Sequence, residues 1–171
     1  MIITISGMSG SGKNTVGEKV ADVLRMRTVE YTFKDHAKEM GINLMDFQKM
    51  ARKDESIDRD FDKLVVRSAN RGNCVITTWL GPWSVKRAKL RVWLDADEKV
   101  RAKRIAKREG MSQASALAHL RKRDKDNILR YKKLYGIDIR NREIFDLIVN
   151  TERFLPDDIA DMVIVAARCI K

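Results

Sequence analysis

Ile2-Ile3-Thr4-Ile5-Ser6-Gly7-Met8-Ser9-Gly10-Ser11-Gly12-Lys13-Asn14-Thr15-Val16 stands at the head of the chain, and its reading decides the rest. Ile2 to Ser6 is a short, β-branched run that ends at a glycine, the signature of a strand. From Lys13 to Leu24 the apolar residues Val16, Val20, Val23 and Leu24 recur at helical spacing. Between them, Gly7 to Lys13 spells GxxxxGK, and strand, glycine turn and helix are the context in which that pattern cradles a phosphate. Glycines let the backbone approach closely, its amides aim at oxygen, and the helix N-terminus adds partial positive charge. Lys13 then reaches between the β- and γ-phosphates of a nucleotide. The candidate phosphate-binding residues are Gly7, Gly10, Ser11, Gly12, Lys13, Asn14 and Thr15. Asn14 occupies the position where the generic motif has a Mg²⁺-binding hydroxyl, and Thr15 follows it.

Outward from the loop, apolar runs alternate with helical patterns. Further strands are expected at Thr28–Thr32, Cys74–Thr78, Leu90–Leu94 and Leu147–Asn150. Helices are expected at Phe33–Ala51, Ile57–Asn70 (closed by Gly72), Asp97–Arg108, Ser112–Tyr135, briefly near Ile139, and at Pro156–Ile170. Continuous apolar strands between helices describe a parallel sheet covered on both sides, an α/β layered domain with right-handed crossovers.

Composition agrees. A chain of 171 residues suits one domain, and 44% hydrophobic with 35% charged residues excludes disorder. With 2 prolines and 9 glycines it is too poor in turn formers for an all-β fold. Cys74 and Cys169 cannot build a disulfide framework, and no CxxC or His-rich spacing suggests zinc, so a reducing cytoplasm is the expected compartment. No stretch approaches the roughly 18 apolar residues of a membrane span, and no membrane partner is expected.

Thirty-five Lys and Arg against 24 Asp and Glu leave a net charge of +11, which attracts phosphates, nucleic acid or an acidic surface. Two segments concentrate it. Arg101, Lys103, Arg104, Lys107 and Arg108 follow Asp95-Ala96-Asp97 at the carboxyl end of an expected strand; Arg101 and Arg104 share a face and are placed to cross a bound nucleotide as a lid. Arg123, Asn127 and Arg130 stand at i, i+4 and i+7, so one face presents two guanidinium forks and an amide to a small anion. The alternative for each run is a solvated helix face, which the position at the strand's carboxyl end and the single-face spacing outweigh. His36 and His119 lack partners in recognisable spacing and are read as packing or surface residues, while Trp79 and Trp83 flank Gly81-Pro82 as packing residues or, for Trp79, a surface that stacks on a base.

At this point the chain resembles the archaeal-type cytidylate kinases, members of the P-loop nucleoside monophosphate kinases. GMSGSGKNTV is similar to the GxxGxGKGT form of their loop, with Asn14 in a glycine slot and Thr15 in its usual place; FKDHAKEMG, DESIDRDFD, VWLDADEKVRAKRIAKREG, RYKKLYGIDI and FDLIVNT also match. The resemblance implies a P-loop NTPase fold, a three-layer α/β/α domain around a five-stranded parallel sheet. It implies one kinase domain over 1–171, with a core (1–32, 72–100 and 144–171), an acceptor-binding segment at 33–71 and a lid region at 101–135. It further implies transfer of the γ-phosphoryl of ATP, with Mg²⁺ held near Thr15, to CMP or dCMP. Lys13, Arg101, Arg104 and Arg130 would be catalytic, and Lys34, Trp79, Arg123, Asn127 and Arg130 would hold the acceptor. A monomer is expected.

The sequence also departs from that pattern. Where these kinases usually carry an acidic residue, Gly and a phosphate-binding Arg after the third strand, this chain has Thr77-Thr78-Trp79. Thr28-Val29-Glu30 and Phe33-Lys34 replace a Ser-x-Gly and an aromatic-Arg pair, and Asn127 replaces an acid. Lys34 and Arg87 are the expected substitutes for the missing arginine. Two rival readings follow: a nucleotide-regulated protein gripping RNA or the ribosome, which the lack of an aromatic-interleaved basic motif disfavours, and a kinase for another small acceptor.

Overall fold

A computed structural model describes residues 1–30, 33–43, 46–47, 50 and 53–171, without the side chains of 33–35. Five parallel strands, β1 (Ile2–Ser6), β2 (Arg27–Val29), β3 (Cys74–Ile76), β4 (Leu90–Asp95) and β5 (Leu147–Asn150), form one sheet in the order β2-β3-β1-β4-β5. The helices are α1 (Lys13–Leu24), α2 (Phe33–Glu39), α3 (Glu55–Asn70), α4 (Gly81–Ser84), α5 (Glu98–Glu109), α6 (Gln113–Tyr135) and α7 (Pro156–Cys169). The expected three-layer α/β/α architecture is the one found. No helix among the described residues is long and apolar enough to cross a membrane.

Alternation along β1 assigns the layers. Ile3 and Ile5 face a core shared with Val16, Val20 and Ala21 of α1 and Ile159, Val163 and Ile164 of α7. Ile2 faces the opposite core, with Ile76, Phe61 and Val65. At Gly17, α1 runs so close to the sheet that a Cβ would stand 2.2 Å from Thr77 Cγ2. Only glycine fits there. α5 and α6 form a hairpin with its own small core of Ala102, Ile105, Ala116 and Leu120. Ile139, fully buried with Leu80 and Tyr131, anchors the segment that leaves α6.

Several expected boundaries shift for local reasons. β2 ends at Val29, and Tyr31 and Thr32 lie outside the described residues. The helix from Phe33 stops at Glu39 because Gly41 turns left-handed (φ 68°), and the expected end at Ala51 lies outside the described residues. α3 begins two residues early because the Asp54 carboxylate accepts from Ser56 N at 2.9 Å. Asp97 caps α5 and Ser112 caps α6 in the same manner. Near Ile139 the chain makes turns rather than a helix, with Asn141 N donating to Asp138 O.

Candidate active site

The loop Gly7–Lys13 lies at the carboxyl edge of the sheet, where the central strand β1 gives way to α1. Gly12 is the N-cap of α1 in a left-handed conformation (φ 91°), and no side chain caps the helix. The first-turn amides of Lys13, Asn14 and Thr15 therefore have no acceptor inside the helix or from a cap. Ser9 and Ser11 are buried, yet among the described residues neither hydroxyl has a hydrogen-bond partner. Orphaned donors beside an uncapped helix start fit a phosphate group. Gly10 is held so near α5 that a Cβ would meet Arg101 O at 2.8 Å.

Lys13 is half-buried, and the Trp79 ring covers it, with Nζ 5.2 Å from the ring centroid. Burial is the main reason its ammonium titrates low, at about 8; the charges of Arg123, Arg108 and Arg101 add to this and Asp124 opposes it. Such a lysine gains by meeting an anion. Trp79 packs beside the cluster of Leu80, Tyr131 and Ile139 and sets its ring against the loop lysine.

Arg101 and Arg104 occupy positions that the lid reading did not anticipate. Arg101 is 8% exposed; its Nη1 donates to Ser9 O (2.9 Å) and Asp124 Oδ2 (2.7 Å), and its Nε to Ala96 O (3.1 Å). Asp124 Oδ1 in turn accepts from Ser9 N at 3.2 Å. Arg104 donates to Gly10 O, to Thr151 Oγ1 (2.9 Å) and to Thr151 O (2.6 Å). Both guanidinium groups are spent on carbonyls of the loop and its neighbours. They brace the cradle rather than reach over it.

On the other side, α6 faces α3. Arg130 pairs with Asp58, Lys133 with Glu55 at 2.6 Å, and Tyr135 Oη donates to Asp62 Oδ2 at 2.6 Å. Burial raises the Asp58 carboxyl despite its arginine, and pushes Asp62 up to about 6. Arg123 is exposed and close enough to bias Lys13, whereas Asn127 Nδ2 donates to Arg123 O at 3.0 Å. Thr15 and Asn14 are exposed on the first turn of α1, and the Lys34 side chain lies outside the described residues. Arg87 is no substitute for an arginine at the loop: its neighbour Lys89 bonds Ile2 O, at the amino edge of the sheet. A groove of about 410 Å³ opens beside the Asp62–Tyr135 pair, between α3, α4 and Ile137.

Among the described residues no group of three or more His, Cys, Asp or Glu is placed to hold a metal unaided. Sequence reasoning passed over Asp124, Asp58, Asp62 and Glu30. Asp124 carried a faint signal, an acid directly after the basic run Arg121-Lys122-Arg123. Glu30 carried none.

A parallel sheet with a glycine loop feeding a central helix, a half-buried lysine in the loop and two arginine braces defines a P-loop kinase. Solved structures agree on the fold: shikimate kinase from Acinetobacter baumannii, in complex with shikimate, superposes with a TM-score of 0.64 at 19% identity, over 99% of this chain and 95% of that one. The cytidylate kinase-like family model matches residues 2–153, and the chain belongs to that family. It is 42% identical over 161 residues to the cytidylate kinase of Pyrococcus horikoshii, covering 93% of this chain and 84% of the relative. It is 41% identical to that of Ignicoccus hospitalis, covering 95% and 96%.

Proposed function

We propose that this chain transfers the γ-phosphoryl group of ATP to CMP or dCMP, releasing ADP and the nucleoside diphosphate. The observation that carries the reading is the half-buried Lys13 at an uncapped helix start, beside orphaned serine hydroxyls, in a member of this family. A phosphate monoester is ionised at neutral pH, so no covalent enzyme intermediate is needed; positioning and neutralisation of charge do the work.

Lys13 and the amides from Gly10 to Thr15 hold the donor phosphates. Arg101, Arg104 and Asp124 act one step back, by fixing the carbonyls and amide of Ser9 and Gly10 so that the cradle does not reorganise as charge moves. The exposed hydroxyl of Thr15 is on the first turn, where it suits Mg²⁺ coordination. When bound, the ion neutralises charge on the donor's phosphate oxygens. Arg123 and Arg130, with Lys34, take the acceptor phosphate, which requires Arg130 to exchange Asp58 for the incoming dianion. Residues 33–71 form the acceptor segment and 101–135 the lid, around a core of 1–32, 72–100 and 144–171. Trp79 contributes a ring wall instead of a cation, and it shields Lys13 from water. Soluble nucleotide substrates suit a cytoplasmic setting.

The test is an ADP-release assay across all ribo- and deoxynucleoside monophosphates. CMP and dCMP are expected as the best acceptors. Faster turnover of another acceptor would move the reading to a pocket rebuilt around Trp79. ATP binding without turnover of any monophosphate would reject it.

A further inference from the structure

We infer that Glu30 and Thr77, at adjoining carboxyl ends of β2 and β3, are the divalent-cation station of the site, holding the water shell of a Mg²⁺ carried on the donor phosphates. The inference rests on the kinase reading for its nucleotide and goes beyond it in assigning these two residues.

Register brings the two residues together. β2 and β3 pair in parallel with Val29 opposite Ile76, and Thr77 N donates to Val29 O at 3.3 Å. Glu30 and Thr77 are therefore the next residues along neighbouring strands, both at the sheet edge that carries the phosphate loop. Thr77 is 4% exposed, and its methyl is lodged against the backbone of Gly17 in α1. With the methyl fixed there, the hydroxyl is left on the Glu30 side, near enough to favour the charged carboxylate. Among the described residues neither Thr77 Oγ1 nor Glu30 Oε1, both buried, has a hydrogen-bond partner at full bonding geometry. Lys13 also lies close enough to act on Glu30.

Elimination points the same way. A small hard cation takes oxygen ligands and keeps several waters, so it is commonly held by one or two carboxylates together with substrate phosphates. Asp124 is committed to Arg101 and Ser9 N, Asp97 caps α5 through Lys99 N, and Asp95 accepts from Arg142 and Trp93 Nε1. Among the described residues Glu30 retains a buried oxygen without a partner. A hydrated divalent ion between Glu30, the Thr77 hydroxyl and the donor phosphates gives both orphaned oxygens partners.

Calorimetric titration of the whole chain with ADP, with and without Mg²⁺, reads this directly. The parent should bind ADP more tightly with the metal. In Glu30→Gln that gain should shrink about 10- to 100-fold, while metal-free ADP binds at least as well because a negative charge has gone. Mn²⁺ as a paramagnetic probe should show the same loss in its bound signal with ADP. Thr77→Val keeps the packing against Gly17 and should lose part of the gain, whereas Thr77→Ser should keep it. Thermal melting of each variant separates misfolding from metal loss, and Glu30→Asp should recover part of the gain. An unchanged Mg²⁺ gain in Glu30→Gln, or a raised KM for CMP alone, overturns the inference and leaves the kinase reading standing. Loss of the gain in a chain that phosphorylates no monophosphate supports the inference while rejecting CMP as acceptor.

Discussion

The donor side and the acceptor side of this site are held by different means. Around the phosphate loop, Arg101 and Asp124 are 8% and 6% exposed and share their hydrogen bonds with the backbone of Ser9. Across the cleft, the Arg130 side chain is 28% exposed although its partner Asp58 is buried, and Lys133 and Glu55 are exposed at 77% and 43%. A buried pair cannot exchange partners without stranding a charge, whereas a half-exposed pair can. On the function proposed above, the donor cradle is finished before substrate arrives, whereas Arg130 and Lys133 stay accessible to an incoming phosphate dianion.

Breaking the buried brace should cost most. Asp124→Ala strands the Arg101 guanidinium and frees Ser9 N, so unfolding free energy should fall by about 3–5 kcal/mol, read from the denaturant midpoint. An unchanged midpoint would mean that the brace is not what holds the loop.

Lys13→Ala tests the chemistry of the same side without its architecture. It should lower kcat by about 10²- to 10³-fold, because the lysine stabilises charge that moves during transfer, with little change in melting temperature. Parental kcat would remove the loop lysine from the mechanism.

For the exchangeable face, Arg130→Ala should raise KM for CMP about 10- to 100-fold and leave KM for ATP nearly unchanged, since a hydrogen-bonded charge contributes about 1.5–3 kcal/mol. Asp58→Asn should act in the opposite sense and lower KM for CMP. If ATP binding falls in Arg130→Ala instead, α6 belongs to the donor side and the contrast collapses.

The smallest expected effect concerns Trp79, which joins the two sides. Lys13 grips phosphate as an ammonium, and burial holds its titration at about 8, so kcat/KM for ATP should fall as pH rises through that value. Trp79→Ala admits water, raises the lysine toward its ordinary value and should move the alkaline limb upward by on the order of one unit. A limb that stays in place would show that the ring does not govern the lysine.

How much of this was legible beforehand varies residue by residue. Lys13 and the loop could be read because their chemistry is local: a strand, glycines and a helix start within fifteen neighbouring residues specify the cradle. Arg101 and Arg104 were legible as cations on one face, but their partners, Ser9 O and Thr151, lie 92 and 47 residues away. The early stop of α2 at Glu39 was written in Gly41, whose left-handed turn outweighed the continuing apolar spacing. Trp79 was legible as a departure from the pattern, and its contact with Lys13 was not.

The amino-acid order alone determined the alternation of strands and helices, the phosphate loop and the family, because each rests on periodicity or on contiguous residues. Only the tertiary structure decided which charges are free and which are spent. Asp124, Glu30 and Asp58 are ordinary acids in the sequence; their surroundings follow from the crossovers that place α6 against the loop and α3, and the end of β2 beside that of β3. Partner choice among charges depends on burial and distance through space, and neither is encoded in any local pattern.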